Sequence, residues 1–296
     1  MKAFITGGLG FIGRHLVARL QADGVEVKVY DRKTHERNDC GDVEWLYAEL
    51  THFKPDTVYH LAALADVRHA LRDVKTHIQA NFLLTANVLE AMVIASVPRI
   101  VFTSSAVVYG DSPVVEPIRE NWTVFPKQTS VYGAMKLASE ALIEAYCVGY
   151  GLRADIFRLV SLVGAGYRHG NLKDFYDKLT ANPKRLEVFG SLSQQKYYCA
   201  VEDFVEAVRL VDVHPHTGAE IWNVSHDRPN DIADSLLAVL KVMQLPDPKI
   251  VHKDSWVGDL PTLVLNTSKL RDLGWKPMHS IYGAMLRTVE DLAVRA

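Results

Sequence analysis

The sequence predicts an α/β protein built on a doubly wound parallel sheet with a smaller C-terminal lobe, and three observations carry that prediction. Short β-branched runs alternate with longer helical patterns through the first half, the stretch FITGGLGFIG joins the first run to the first helix, and the rhythm changes near Gly164. Candidate strands fall at residues 2–5, 25–30, 57–59, 99–102 and 154–157, and helical patterns at 14–22, 45–53, 74–96 and 134–150. Strands of this apolar kind separated by helices are buried on both faces, which is the setting of a parallel sheet. Past Gly164 the chain turns irregular and aromatic, with Pro183, Gly190 and a helical stretch at 232–243. A first domain at 1–163 and a lobe at 164–296 are therefore expected, with some chain returning to the first domain.

The bulk numbers exclude several function classes. The 296 residues are 48% hydrophobic and 23% charged with a net charge of −2, so no overall field favours nucleic acid or an anionic membrane. No run approaches the ~20 apolar residues that span a bilayer. The apolar run after Met1 and Lys2 reaches glycine by Gly7, which is too short for a secretion signal. Cys40, Cys147 and Cys199 are odd in number and far apart, which suits reduced thiols, so a cytoplasmic location is expected. The histidines lack the His-x-x-x-His or HExxH spacing of a helical ligand pair, and no metal is expected.

Gly7, Gly10 and Gly13 follow the first apolar run and open the first helix, the context in which this spacing is informative. Without Cβ atoms the turn can tighten, peptide N–H groups can approach a pyrophosphate, and the helix N-terminus offers partial positive charge. The same glycines could serve a ligand-free strand-to-helix turn. Asp31 ends the second strand, where a carboxylate accepts both ribose hydroxyls and repels a 2′-phosphate, favouring NAD over NADP. Arg32 and Lys33 beside it leave a phosphate-bearing cofactor open.

Tyr132 has a lysine four positions on, Lys136, the one such pair among the twelve tyrosines. Residues four apart share a helix face, so the ammonium can sit beneath the phenol. That ammonium together with a nicotinamide cation would favour phenolate and make Tyr132 a base. The alternative is a surface pair. Ser104 and Ser105 follow the fourth strand, where open α/β sheets place ligand chemistry, and a serine there can hydrogen-bond the oxygen the tyrosine deprotonates.

On these residues the chain resembles the extended short-chain dehydrogenase/reductase family, in its branch of NAD-dependent sugar-nucleotide epimerases and dehydratases similar to UDP-glucose 4-epimerase. The resemblance runs through TGGLGFIG, Asp31, Asp42-Val43, HLAALADV at 60–67, Asn81, TSSAVVYG at 103–110, YGAMK at 132–136, 188–208 and LNTSKLRDLGWKP at 265–277. It implies a catalytic triad of Ser105, Tyr132 and Lys136, and Phe11 and Ile12 over the pyrophosphate beside the three glycines. It also implies Asp42 and Val43 at the adenine, Leu61, Ala62 and Ala63 along the cofactor cleft, and Asn81 in support from the neighbouring helix. In the family mechanism the tyrosine takes a proton from a sugar hydroxyl while hydride passes to NAD⁺, and the keto-sugar turns and takes the hydride back on its other face.

Dehydratases and decarboxylases of the family carry acidic residues directly after the Ser/Thr. Here Ala106 and Val107 stand there, which favours epimerisation of a nucleotide sugar, with C4 of a UDP-glucose/UDP-galactose type as the expected centre. Three positions depart from the family pattern. Arg158 to Ser161 stand for Arg-Tyr-Phe-Asn, Lys196 stands for an arginine, and Trp256 stands for another arginine before Gly258-Asp259. Asn171, Lys196 and Trp256 are the expected substrate contacts. Residues 32–41 are short for a connection that usually contains a third strand, so a reduced sheet edge is expected. The long apolar faces at 74–96 and 134–150 correspond to the four-helix dimer interface of relatives, implying a homodimer.

Overall fold

A computed structural model describes residues 1–110, 116–122, 128–255 and 262–295. In chain order the elements begin β1 (Lys2–Thr6), α1 (Phe11–Ala22), β2 (Glu26–Tyr30), α2 (Val43–Phe53), β3 (Thr57–His60), α3 (Val67–Ala70), α4 (Val74–Ile78), a π turn (Gln79–Leu83) and α5 (Leu84–Ile94). They continue with β4 (Arg99–Ser105), a 3₁₀ turn (Ala106–Tyr109), α6 (Val131–Tyr150), β5 (Arg153–Leu159), β6 (Ser161–Val163), α7 (Gly170–Ala181) and β7 (Arg185–Phe189). The rest comprises β8 (Gln195–Lys196), β9 (Tyr198–Ala200), α8 (Val201–Asp212), β10 (Ala219–Val224), β11 (Asn230–Asp231), α9 (Ile232–Met243), β12 (Lys249–Lys253), α10 (Ser268–Asp272) and α11 (Ile281–Val294).

Six strands form one sheet in the order β10-β5-β4-β3-β1-β2, and every pairing in it is parallel. The five strands read from the sequence are all present, each within three residues of the expected ends. The connections reverse direction at β1, whose neighbours are β2 and β3. Such a switch point opens a crevice at the carboxyl ends of the strands, and this places the site. Residues 32–41 form turns rather than a strand, so the sheet ends at β2 as expected.

Two sequence expectations need correction. The pattern at 74–96 is not one helix: α4 gives way to the π turn before α5 begins. There the buried side chain of Asn81 reaches across to Leu64, a long-range tie that a helical period cannot reveal. The segment after Gly164 is more regular than it reads. It supplies α7, α8, α10 and α11 in addition to the expected α9, and β10 as an edge of the central sheet.

One core joins Ile5 and Leu16 to Phe204, Val208, Trp222 and Trp275, so the late chain helps to bury the first strand. A second core forms from Val163 onward around Phe175, Leu186, Val239 and Met285.

Candidate active site

The site is assembled from the loops that leave β1, β3 and β4. After Thr6 the chain turns through Gly7 at φ +69°, a left-handed conformation that strains any side chain. A Cβ on Gly7 would lie 2.8 Å from the Ala62 nitrogen, and one on Gly13 would lie 2.4 Å from the Gly7 carbonyl oxygen. Both glycines are therefore fixed by packing of backbone on backbone. Gly10 is the N-cap of α1 and no side chain caps it. The first turn of α1, from Phe11 to Gly13, thus has no side-chain cap at the positive end of the helix, the kind of helix end that suits a diphosphate.

Asp31 holds this loop from the end of β2, its carboxylate accepting the Leu9 N–H at 3.0 Å and the Lys33 N–H at 3.0 Å. Arg32 reaches Asp39 at 3.6 Å rather than standing free beside Asp31. The donor set fits a dinucleotide with an unphosphorylated ribose: no room for Cβ atoms, an uncapped helix end, and an acceptor-only carboxylate at the loop edge.

Leu61 donates its N–H to the Thr6 carbonyl at 3.2 Å, and Ala62 donates to the Thr6 hydroxyl at 3.4 Å, so Leu61 and Ala62 lie along Gly7 and Ala63 follows them. The Asn81 side chain accepts from Leu64 N–H and donates to Leu64 C=O, both at 3.0 Å. Its polar atoms fix the cleft-lining loop, so it supports the cleft rather than reaching into it. Asp42 is the N-cap of α2, accepting from Trp45 N–H at 3.1 Å and pairing with Arg37 at 3.1 Å. The Trp45 hydrogen bond holds its carboxyl below the usual carboxylate range. Val43 begins α2 and is half-buried.

Ser130 caps α6 by accepting the Gly133 N–H at 3.0 Å, which starts the helix three residues before the expected residue 134 and places Tyr132 in its first turn. A Cβ on Gly133 would lie 3.1 Å from the Val107 carbonyl, so that turn packs against the chain leaving Ser105. Ser105 caps the 3₁₀ turn, its oxygen accepting Val107 N–H at 3.4 Å. Lys136 donates to the Thr103 carbonyl at 2.8 Å, with its ammonium 4.5 Å from the Phe102 ring centre and 5.8 Å from that of Tyr132. The structure thus brings Ser105, Tyr132 and Lys136 to one end of β4.

Burial dominates the titration of both helix residues. It pushes the Tyr132 phenol above its ordinary value and the Lys136 ammonium down to about 7, with the Glu140 carboxylate opposing the latter. His60, between the hydroxyls of Thr6 and Thr85, is pushed down to about 3 by burial and is neutral near pH 7. In the free chain the phenol keeps its proton at neutral pH, so the lysine alone does not make a phenolate.

One residue absent from the sequence reading, Glu140, joins Ser104 and Arg158, which that reading names apart. Glu140, one turn beyond Lys136, takes a bidentate grip from Arg158 on β5 at 2.6 Å and 3.1 Å, and also accepts the Ser104 hydroxyl. The four-residue spacing from Lys136 to Glu140 is a visible signal, but only the β4–β5 register sets Ser104 opposite Arg158. Among the expected substrate contacts, Asn171 on α7 donates to the Tyr198 hydroxyl at 3.4 Å, and Lys196 on β8 lies opposite Asn230. Trp256 lies outside the described residues.

The depressed lysine has a consequence for stability. Its folded value lies below the unfolded one near 10.5, so stability is lost as pH falls from about 10 through 7. Lys136→Met removes that burden: below pH 7 the variant should be more stable by about 1–3 kcal/mol, with the gap closing toward pH 10. Chemical unfolding at several pH values checks this, and a variant less stable at pH 6 contradicts it.

Comparison with known proteins agrees with this geometry. Residues 3–225 match the model of the NAD dependent epimerase/dehydratase family. A UDP-glucose 4-epimerase of Mycolicibacterium smegmatis is 29% identical, covering 98% of this chain and 98% of that protein. The UDP-glucose 4-epimerase of Thermus thermophilus, solved in complex with NAD, superposes with a TM-score of 0.87 at 29% identity over 99% of each chain. A UDP-galactose 4-epimerase structure matches with a TM-score of 0.86 at 33% identity over 100% of this chain and 99% of that one. Such a sheet, glycine loop and Ser/Tyr/Lys cluster define an NAD-binding α/β enzyme. The chain belongs to the NAD-dependent epimerase/dehydratase family.

Proposed function

We propose that this chain is a nucleotide-sugar 4-epimerase acting on UDP-glucose and UDP-galactose or a close counterpart. The observation that carries the reading is the meeting of Ser105, Tyr132 and Lys136 at the end of β4, with Ala106 and Val107 following and no ionisable side chain at those two positions. An elimination needs a further proton donor there, whereas inversion at carbon does not.

The glycine loop, the first turn of α1 and Asp31 would hold NAD, and Leu61, Ala62 and Ala63 would flank it. When bound, NAD⁺ supplies a hydride acceptor and a positive ring charge. Tyr132 takes the proton of the sugar hydroxyl on its phenolic oxygen and later returns it, Ser105 donates a hydrogen bond to the same sugar oxygen, and Lys136 stabilises the phenolate. Asn171, Lys196 and Trp256 are proposed to meet the nucleotide diphosphate. Lysine at 196 would do so as a point charge rather than a fork.

Purified protein supplied with NAD⁺ and UDP-galactose should yield UDP-glucose without net NADH. Steady NADH accumulation would indicate a dehydrogenase, and a lasting keto-sugar a dehydratase.

The same reading includes a cytoplasmic homodimer. Leu83, Ile94, Val148 and Tyr150 are exposed on the 79–94 and α6 helical faces, and all three cysteines are free and buried. No helix among the described residues is long and apolar enough to cross a membrane. Light scattering at micromolar concentration tests the assembly: twice the chain mass supports it and a monomer refutes it.

A further inference from the structure

We propose that Glu140, braced by Arg158 and Ser104, is a positioning residue for the Tyr132–Lys136 pair, its carboxylate serving as the counter-charge that keeps Lys136 an ammonium under the phenol. The inference rests on the reading of Tyr132 as the base.

Glu140, Arg158 and Ser104 are buried to 4%, 3% and 3% exposure, so no solvent screens them. Arg158 is pinned by its grip on Glu140, by the Tyr109 ring 4.7 Å away and by donation to the Glu120 carbonyl at 3.4 Å. Lys136 has Tyr132 and, one turn on, Glu140 on its own helix, the Thr103 carbonyl and Phe102 ring from β4, and neutral His60 from β3, while Arg158 on β5 holds Glu140 from the other side. The enclosed set therefore holds two cations, Lys136 and Arg158, against one anion. Without the carboxylate both buried cations lose that compensation, and the guanidinium does not yield its proton.

The helix fixes which partner feels the loss. Glu140 is about 6 Å of rise from Lys136 and about 12 Å from Tyr132, so removing its charge acts more on the ammonium than on the phenol. The amine then goes neutral, and the phenol loses the charge that would hold its anion.

The test compares wild type, Glu140→Gln and Glu140→Asp as NAD-loaded proteins. Ultraviolet difference titration against Tyr132→Phe in each background isolates the Tyr132 phenolate, with thermal unfolding in parallel. In Glu140→Gln the Tyr132 component should move up by about one pH unit and kcat should fall about tenfold with KM little changed. Glu140→Asp, which keeps the charge, should fall between the two, and it alone decides the matter if the Gln variant does not fold. Variants that titrate with wild type, whatever their stability, overturn the inference. The titration needs no sugar. An inactive wild type whose Tyr132 titration depends on Glu140 refutes only the proposed function. An active enzyme whose titration ignores Glu140 refutes only this inference.

Discussion

Replacing Tyr132 by Phe should lower turnover about 10²- to 10⁴-fold, the span of positioned acid–base catalysis, while the fold and NAD binding persist. Phenylalanine keeps the ring that lies 5.8 Å from the Lys136 ammonium, and burial is the sole cause of the raised phenol titration. The packed volume therefore stays and one oxygen goes. Without it Ser105 and Lys136 can orient and charge the site but cannot accept the sugar proton. Steady-state kinetics with calorimetric NAD binding check this. A variant with near wild-type kcat would remove Tyr132 from the chemistry, and one that fails to bind NAD would assign it a structural role.

The second large effect is expected at Gly13. A methyl group there would approach the Gly7 oxygen to 2.4 Å, the Gly8 Cα to 2.6 Å and the Gly8 carbonyl carbon to 2.7 Å. All three are backbone atoms of the loop, and none can swing away as a side chain does. Gly13→Ala should destabilise by about 3 kcal/mol and abolish NAD binding, because relief requires pushing the first turn of α1, which would hold the diphosphate, away from the glycine loop. Urea unfolding with and without NAD measures both consequences. A variant that still gains stability on adding NAD would show that the loop does not carry the cofactor.

What could be read from the chain beforehand divides by distance along it. The glycine triplet, the Tyr132–Lys136 spacing and the first five strands are local patterns, and each sits where its period or spacing put it. Even the helix starts were within reach: Ser130 is a capping residue directly before α6. The apolar residues Val201, Phe204, Val205, Val208 and Val211 of α8 repeat at helical spacing, so that helix was also visible in principle. The interruption at Asn81 was not: the side chain there is tied to Leu64, 17 residues earlier, beyond the reach of a helical period. The Glu140–Arg158–Ser104 floor likewise joins residues 18 and 36 positions apart, which only the β4–β5 register and the docking of α6 bring together. β10, rich in mixed polar and apolar residues, joins the sheet at its far edge beside β5, where one face pattern is hard to see from the run AEIWNV alone.

The proposed chemistry inverts a sugar carbon by moving its hydrogen away and back, with Tyr132 handling the proton. Proton nuclear magnetic resonance of UDP-galactose, incubated in D₂O with the protein and a catalytic amount of NAD⁺, follows that hydrogen itself. UDP-glucose with protium retained at C4 and no accumulating NADH is the expected outcome. Deuterium at C4, or no UDP-glucose from protein that binds NAD, would contradict it.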